Sequence, residues 1–169
     1  QGRTPDMQWL DHARLGYNYR MDEMSAAVGL AQIEKIGLLI RKRQEIARWY
    51  EKELQRLASS VVIPQTLVGA VHTWFVYVVR IKNPGTKRDT VIQDLAKQGV
   101  SSKPYLPSIH LFSFYKDRFG YEAGDFPVSE KISSSALALP FYIGLTRQDI
   151  KNIVEVLSAT LQYHEGVQK

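Results

Sequence analysis

Leu15-Gly16-Tyr17-Asn18-Tyr19-Arg20-Met21 runs directly into a proline-free stretch, Asp22 to about Ala58, that is rich in strong helix formers. This stretch predicts one long helix. Its second half is amphipathic: Leu39, Arg43, Ile46, Ala47, Tyr50, Leu54 and Leu57 recur at steps of three and four, which puts most of them on one stripe with the charges opposite. The first half is different in kind. Ser25-Ala26-Ala27-Val28-Gly29-Leu30-Ala31 is dominated by small side chains that let another backbone approach closely, at some cost in helix stability from Gly29. Gly37 is the expected bend between the halves. The small-residue face around Ala26 to Ala31 is expected to lie exposed in this chain, with a further domain or a second subunit as its natural cover.

Beyond this stretch the pattern alternates. Val61-Val62-Ile63 reads as a strand, and Thr73 to Ile81 is a β-branched and aromatic run of nearly continuous apolar character, as expected of a strand covered on both faces. Thr86 and Asp89 form a capping-box variant ahead of a helix from Lys87 to Gln98, which Gly99 stops. Val100 to Lys103 reads as a short strand, and the two prolines between Pro104 and His110 exclude a regular helix there. Pro127 opens a short helix to about Ser135, and Leu137 to Leu139 reads as a brief strand ended by Pro140. Thr146 and Asp149 repeat the cap pattern before a last helix with Ile150, Ile153, Val154, Leu157 and Leu161 as its buried stripe. The order of elements indicates an α+β fold: a long N-terminal helix, then a small sheet with helices layered on it. Two segments follow, 1–58 with the leading loop and connecting helix, and 59–169 as a small α/β domain.

Several function classes lose support from composition and spacing. A net charge of +5 would suit nucleic acid, but the only dense basic run, Arg41-Lys42-Arg43, lies in a helical pattern among Glu34, Glu45, Glu51 and Glu53, which reads as a solvated helix face. No run approaches the roughly 20 apolar residues of a membrane-spanning helix. There is no cysteine, which removes disulfides and Cys-based metal sites and fits a reducing cytoplasm. His12, His72, His110 and His164 are far apart, so no metal is expected. No G-x-S-x-G elbow and no phosphate-binding glycine loop is present. Gln1-Gly2-Arg3-Thr4-Pro5 carries no initiator Met, apolar segment or cleavage site, so the expectation is a chain that begins in mid-protein.

The dense polar group His12, Tyr17, Asn18, Tyr19 and Arg20 stands before the long helix. A helix start offers unpaired N–H groups and positive potential, so an amide and a guanidinium there can join an anion site for phosphate. On spacing alone the blander reading leads: a helix-entry loop whose tyrosines pack in the core and whose Asn18 satisfies its own turn.

Taken with their neighbours, these residues carry a resemblance. Gln1-Gly2-Arg3, His12 and the run from Gly16 to Gln32 resemble the stretch that follows the catalytic lysine region in the DegT/DnrJ/EryC1/StrS family of sugar aminotransferases. Trp74-Phe75-Val76-Tyr77, the segment Lys103 to Leu111, Gly124-Asp125-Phe126-Pro127 and Leu137-Ala138-Leu139-Pro140 are similar to later segments of that family, in the same order.

The resemblance implies the small C-terminal domain of an aspartate-aminotransferase-like enzyme that depends on pyridoxal phosphate, of the type I fold. Such enzymes are homodimers with active sites at the subunit interface. On this reading Asn18 reaches across the dimer to the cofactor phosphate, and Tyr17 and Arg20 lie nearby as structural support or as contacts to a nucleotide-linked sugar. For Arg20, local pairing stands level with ligand contact. The loop holding Lys103, Tyr105 and His110 would lie at the site's mouth, with Tyr105 and His110 as sugar or phosphate contacts; a proline-stiffened connection with a half-buried histidine is the open alternative. Lys103 stands where many relatives carry arginine, and it keeps the charge but lacks the planar fork. The implied reaction moves an amino group, with glutamate as expected donor, to a keto group of the sugar. It needs a Schiff-base lysine, which the family carries ahead of a glycine-rich turn, and no lysine of this chain has that context. The chain alone is therefore expected to be inactive. A binding or regulatory module that keeps the fold without the chemistry is the alternative.

Overall fold

The computed structural model describes residues 15–166; His12 and the Gln1-Gly2-Arg3 motif lie outside the described residues. The chain divides into two compact units, Gln1–Gly37 and Leu38–Lys169. The expected division after residue 58 differs from this one, because the second half of the predicted long helix is built into the core of the larger unit.

The predicted helix is in fact two, α1 (Glu23–Ile33) and α2 (Ile36–Leu54), the second running into a 3-10 turn at Gln55–Leu57. The interruption falls at Glu34-Lys35, where the Lys35 N–H bonds the Gln32 carbonyl, and not at the expected Gly37, which sits inside α2. In α1 the Asp22 carboxylate serves as N-cap: Oδ1 accepts from the Ser25 N–H at 2.9 Å and Oδ2 from its hydroxyl at 2.7 Å. No residue of α1 is buried, and Ala27, Val28, Leu30 and Ala31 are exposed.

In the larger unit α2 buries Ile46, Ala47, Tyr50 and Leu54, the predicted stripe, while Leu39 and Arg43 are half-buried. The strands β1 (Val61–Val62), β2 (Tyr77–Ile81), β3 (Lys103–Pro104) and β4 (Ala136–Leu139) form an antiparallel sheet in the order β1-β2-β4-β3. The run from Thr73 is strand only from Tyr77, and it alternates: Tyr77, Val79 and Ile81 are buried and the residues between them half-buried. That is the pattern of one fully covered face, not two. The register sets Tyr77 opposite Leu139 and Val79 opposite Leu137, so these four share the core face. Onto it pack α2, α3 (Arg88–Lys97) and α6 (Arg147–Gly166). The α6 stripe is the expected one, with Thr160 added. The other face of β2 meets α5 (Pro127–Ser135), which Pro127 opens as expected.

At the centre of the core Tyr50 and Tyr77 stack at 4.8 Å, flanked by Phe141. The Tyr50 hydroxyl donates to the Pro140 carbonyl at 2.6 Å, tying α2 to the end of β4, whereas the Tyr77 hydroxyl is buried without a partner among the described residues. Trp74 stacks on Tyr77 at 5.4 Å and holds a left-handed φ of 51°, a costly conformation for a bulky residue, supported by its N–H bond to His72 Nδ1 at 2.9 Å. A short helix that the sequence pattern does not predict, α4 (Ser113–Phe119), follows the proline-containing loop.

Candidate functional site

Two groups of candidate residues belong to different compact units, and each has its own geometry. In the first unit Tyr17, Asn18, Tyr19 and Arg20 are all exposed. The tyrosines do not enter a core: they are 68% and 87% exposed and stack on one another at 5.3 Å. Among the described residues neither Asn18 nor Arg20 has a hydrogen-bond or ion-pair partner, so the amide and the guanidinium are open to a ligand. The expectation of unpaired N–H groups at this helix start holds only in part, because the Asp22 carboxylate takes the Ser25 N–H. Asp22 occupies the cap and brings a negative charge, and its hydrogen bonds from Ser25 hold its carboxyl below the usual carboxylate range. An anion here would be held by the side chains of the segment rather than by the end of the helix.

The second group lies on the loop from β3 into a 3-10 turn at Ile109–Leu111. Lys103 is exposed on β3, opposite Ala138, and Tyr105 is half-buried. His110 is the least open of the three at 8% exposure. Its Nε2 lies 3.0 Å from Glu130 Oε1 on α5, and its ring packs against Phe126 at 4.7 Å and edge-on to Tyr121. Ser108 fastens the same loop, its hydroxyl 2.8 Å from that of Ser133 and 3.2 Å from that of Ser129.

Glu130 is the hub of this arrangement and was not singled out from sequence. Its carboxylate also accepts the Gly124 N–H at 2.9 Å and the Phe126 N–H at 3.3 Å. These bonds, the one from Gly124 foremost, hold its carboxyl pKa below the usual range, so it stays ionised and keeps the turn closed. Gly124 has φ of +104°, a conformation L side chains rarely adopt, which accounts for a glycine at that turn. The quoted motif Gly124-Asp125-Phe126-Pro127 is thus the frame that seats His110, and the signal for Glu130 was its place one turn inside the helix that Pro127 opens.

Both groups sit on an exposed helix-entry segment or a fastened loop of a four-stranded antiparallel sheet with helices on its faces, which is the small domain of a type I pyridoxal-phosphate enzyme. The chain belongs to the DegT/DnrJ/EryC1/StrS aminotransferase family, whose profile matches residues 1–158. It is 33% identical over 162 residues to the GDP-perosamine synthase of Caulobacter vibrioides, covering 95% of this chain and 43% of that protein. A family aminotransferase from Brucella abortus superposes with a TM-score of 0.74 at 29% identity, over 90% of this chain and 39% of the other. The PLP form of a putative sugar aminotransferase from Streptococcus pneumoniae superposes with a TM-score of 0.79 at 21% identity, over 93% of this chain and 40% of the other, and supports the fold. Pyridoxal phosphate is the cofactor of the enzymes that contain this domain. The chain spans about two fifths of the length of the curated relatives it matches. Among the described residues no helix is long and apolar enough to cross a membrane.

Proposed function

We propose that the protein containing this chain is a sugar aminotransferase that moves an amino group from glutamate to a keto group of a nucleotide-linked sugar. This chain supplies the small domain and the segment that meets a second subunit. The observation that carries the reading is the Tyr17-Asn18-Tyr19-Arg20 run, exposed and unengaged among the described residues, in a chain whose family match covers residues 1–158. Pyridoxal phosphate, when bound, supplies a ring that takes up the electron pair released at the carbon bearing the amino group. The Asn18 amide donates to the cofactor phosphate of the partner subunit in a homodimer, and Arg20 adds a guanidinium beside it.

Lys103 and Tyr105 bind and orient the sugar nucleotide, with Lys103 as a point charge for a phosphate oxygen, and Tyr17 on the other unit is a separate candidate contact. His110 acts from behind the loop. With Nε2 engaged by Glu130 and its ring enclosed, it positions Lys103 and Tyr105 rather than meeting substrate broadly. The Schiff-base lysine lies outside this chain, so the chain alone neither binds the cofactor covalently nor transfers an amino group. The cytoplasm is the compartment proposed for it, which the absence of cysteine from the sequence fits.

Spectroscopic titration of the chain with pyridoxal phosphate should show no shift in cofactor absorbance. In the complete enzyme Asn18→Ala should weaken cofactor affinity by about tenfold, the worth of one charge-assisted hydrogen bond. Amino transfer by the isolated chain would refute the first part, and an unchanged cofactor affinity in the variant would refute the second.

A further inference from the structure

The helices α3 and α6 share one local signal and begin in different ways. At α6 the box closes: Asp149 Oδ2 accepts from the Thr146 N–H at 2.9 Å and hydroxyl at 2.7 Å, and the Thr146 hydroxyl accepts from the Asp149 N–H at 3.2 Å. At α3 the expected pair Thr86 and Asp89 stays open. The helix starts one residue later, with Lys87 at the N-cap and no side chain closing it. Asp89 is drawn to its neighbour, the Arg88 Nε donating to Oδ1 at 2.6 Å. Thr86 is 6% exposed, and its hydroxyl is buried without a partner among the described residues. Among the described residues the backbone N–H groups of Lys87, Arg88 and Asp89 find no acceptor.

This uncapped helix end lines a cavity of about 580 Å³ between β1, β2 and the end of α5. Its walls carry Arg80, Lys82, Lys87, Arg88 and Lys131, with Asp89 as the only carboxylate among the described residues. Arg88 is spent within the fold: besides Asp89, its Nη1 donates to the carbonyls of Ser133 at 2.9 Å and Ala136 at 2.8 Å, which neutralises the C-terminal end of α5. The other four cations have no carboxylate partner among the described residues, although Lys82 donates to the Ala58 carbonyl. Four like charges around one cavity repel each other until an anion enters. Three orphaned N–H groups and a positive helix end point the same way.

We propose that this cavity binds a phosphate group, which takes the place of the missing N-cap. Its oxygens accept from the free N–H groups of α3, its charge is met by Lys87 and Lys131, and the Thr86 hydroxyl gains the partner that a buried hydroxyl otherwise lacks. The cavity is large enough for a phosphate carried on a small molecule as well as for the free ion.

The test is calorimetric titration of the chain with inorganic phosphate, pyrophosphate and a nucleoside diphosphate at fixed chloride, with amide NMR shifts read in parallel. Saturable binding is expected with a Kd on the order of 1 mM or tighter for at least one of them, with shifts at the Lys87, Arg88 and Asp89 amides. Tighter binding of the nucleoside diphosphate than of pyrophosphate identifies a nucleotide as the source of the phosphate, and equal binding identifies the phosphate itself. The double variant Lys87→Ala/Lys131→Ala removes exposed side chains and should fold normally while losing about tenfold or more in affinity. Thr86→Val should weaken binding while raising the melting temperature without ligand. Absence of saturable binding by all three ligands, or equal affinity in the double variant, overturns the proposal.

Discussion

Two tyrosines stacked at the centre of the core should respond in opposite ways to loss of the same atom. Tyr50 and Tyr77 are both fully buried, and their rings lie 4.8 Å apart. Replacing either by phenylalanine keeps the ring and its stacking and removes only a hydroxyl. In Tyr50→Phe the Pro140 carbonyl loses its 2.6 Å donor, and an acceptor deprived of its partner costs about 1–2 kcal/mol where water reaches it only in part. For a chain of this size each kcal/mol moves the melting temperature by roughly 2–4 °C, so Tyr50→Phe should melt roughly 2–8 °C lower. In Tyr77→Phe the hydroxyl removed has no partner among the described residues, and its loss relieves a desolvation penalty, so stability should be unchanged or raised by up to about 1 kcal/mol. Thermal and urea denaturation of the two variants beside the parent chain measure both effects, and equal urea m-values would confirm that the unfolded states are comparable. A Tyr77→Phe variant as unstable as Tyr50→Phe would refute the reasoning, since it would mean that the Tyr77 hydroxyl is engaged.

Other expectations follow from the same geometry. Burial raises the phenol pKa of Tyr50 and of Tyr77 above the ordinary value. Both groups therefore favour folding while protonated: that contribution is intact below about pH 10, the unfolded value, and is lost as pH rises beyond it. In an alkaline titration the phenolate absorbance that is lost in Tyr50→Phe or Tyr77→Phe relative to the parent chain should appear together with unfolding, and its appearance well before unfolding would contradict this. Thr146→Ala, which opens the closed cap of α6, should cost about 0.5–2 kcal/mol in denaturation experiments, whereas the same change at Thr86 should cost less, because no cap is formed there. Glu130→Ala should free the Gly124 and Phe126 amides, seen as faster hydrogen exchange at both, and should loosen His110. Unchanged exchange at those amides would mean that Glu130 is not the anchor of the loop.

Local pattern made much of this architecture readable. The stripes of α2 and α6, the Pro127 start of α5 and the brief strand before Pro140 come from periodicity and from residues with fixed backbone preferences, and the structure has all of them. The short helix α4 escaped because Ser113–Phe119 has neither a side-chain cap nor a buried face. Its one signal is Gly120, left-handed at φ of +71° at its C-terminal end. The candidate residues Asn18, Lys103, Tyr105 and His110 were legible through resemblance to a family; for Asn18, spacing alone favoured a packed loop.

By itself, the sequence determined the family, the α+β class and the buried face of each long helix, because each of these is written in residues close along the chain. Tertiary structure alone decided how competing partners were chosen. The pattern Thr-x-x-Asp occurs twice, yet it closes only at Thr146, because at Asp89 the neighbouring Arg88 takes the carboxylate while reaching Ser133 and Ala136 on the far side of the cavity. His110 is likewise enclosed by Glu130, twenty residues further along the chain. Local propensity is a sum over neighbours in sequence, whereas these contacts depend on which groups folding brings within about 3 Å, the range over which a hydrogen bond acts.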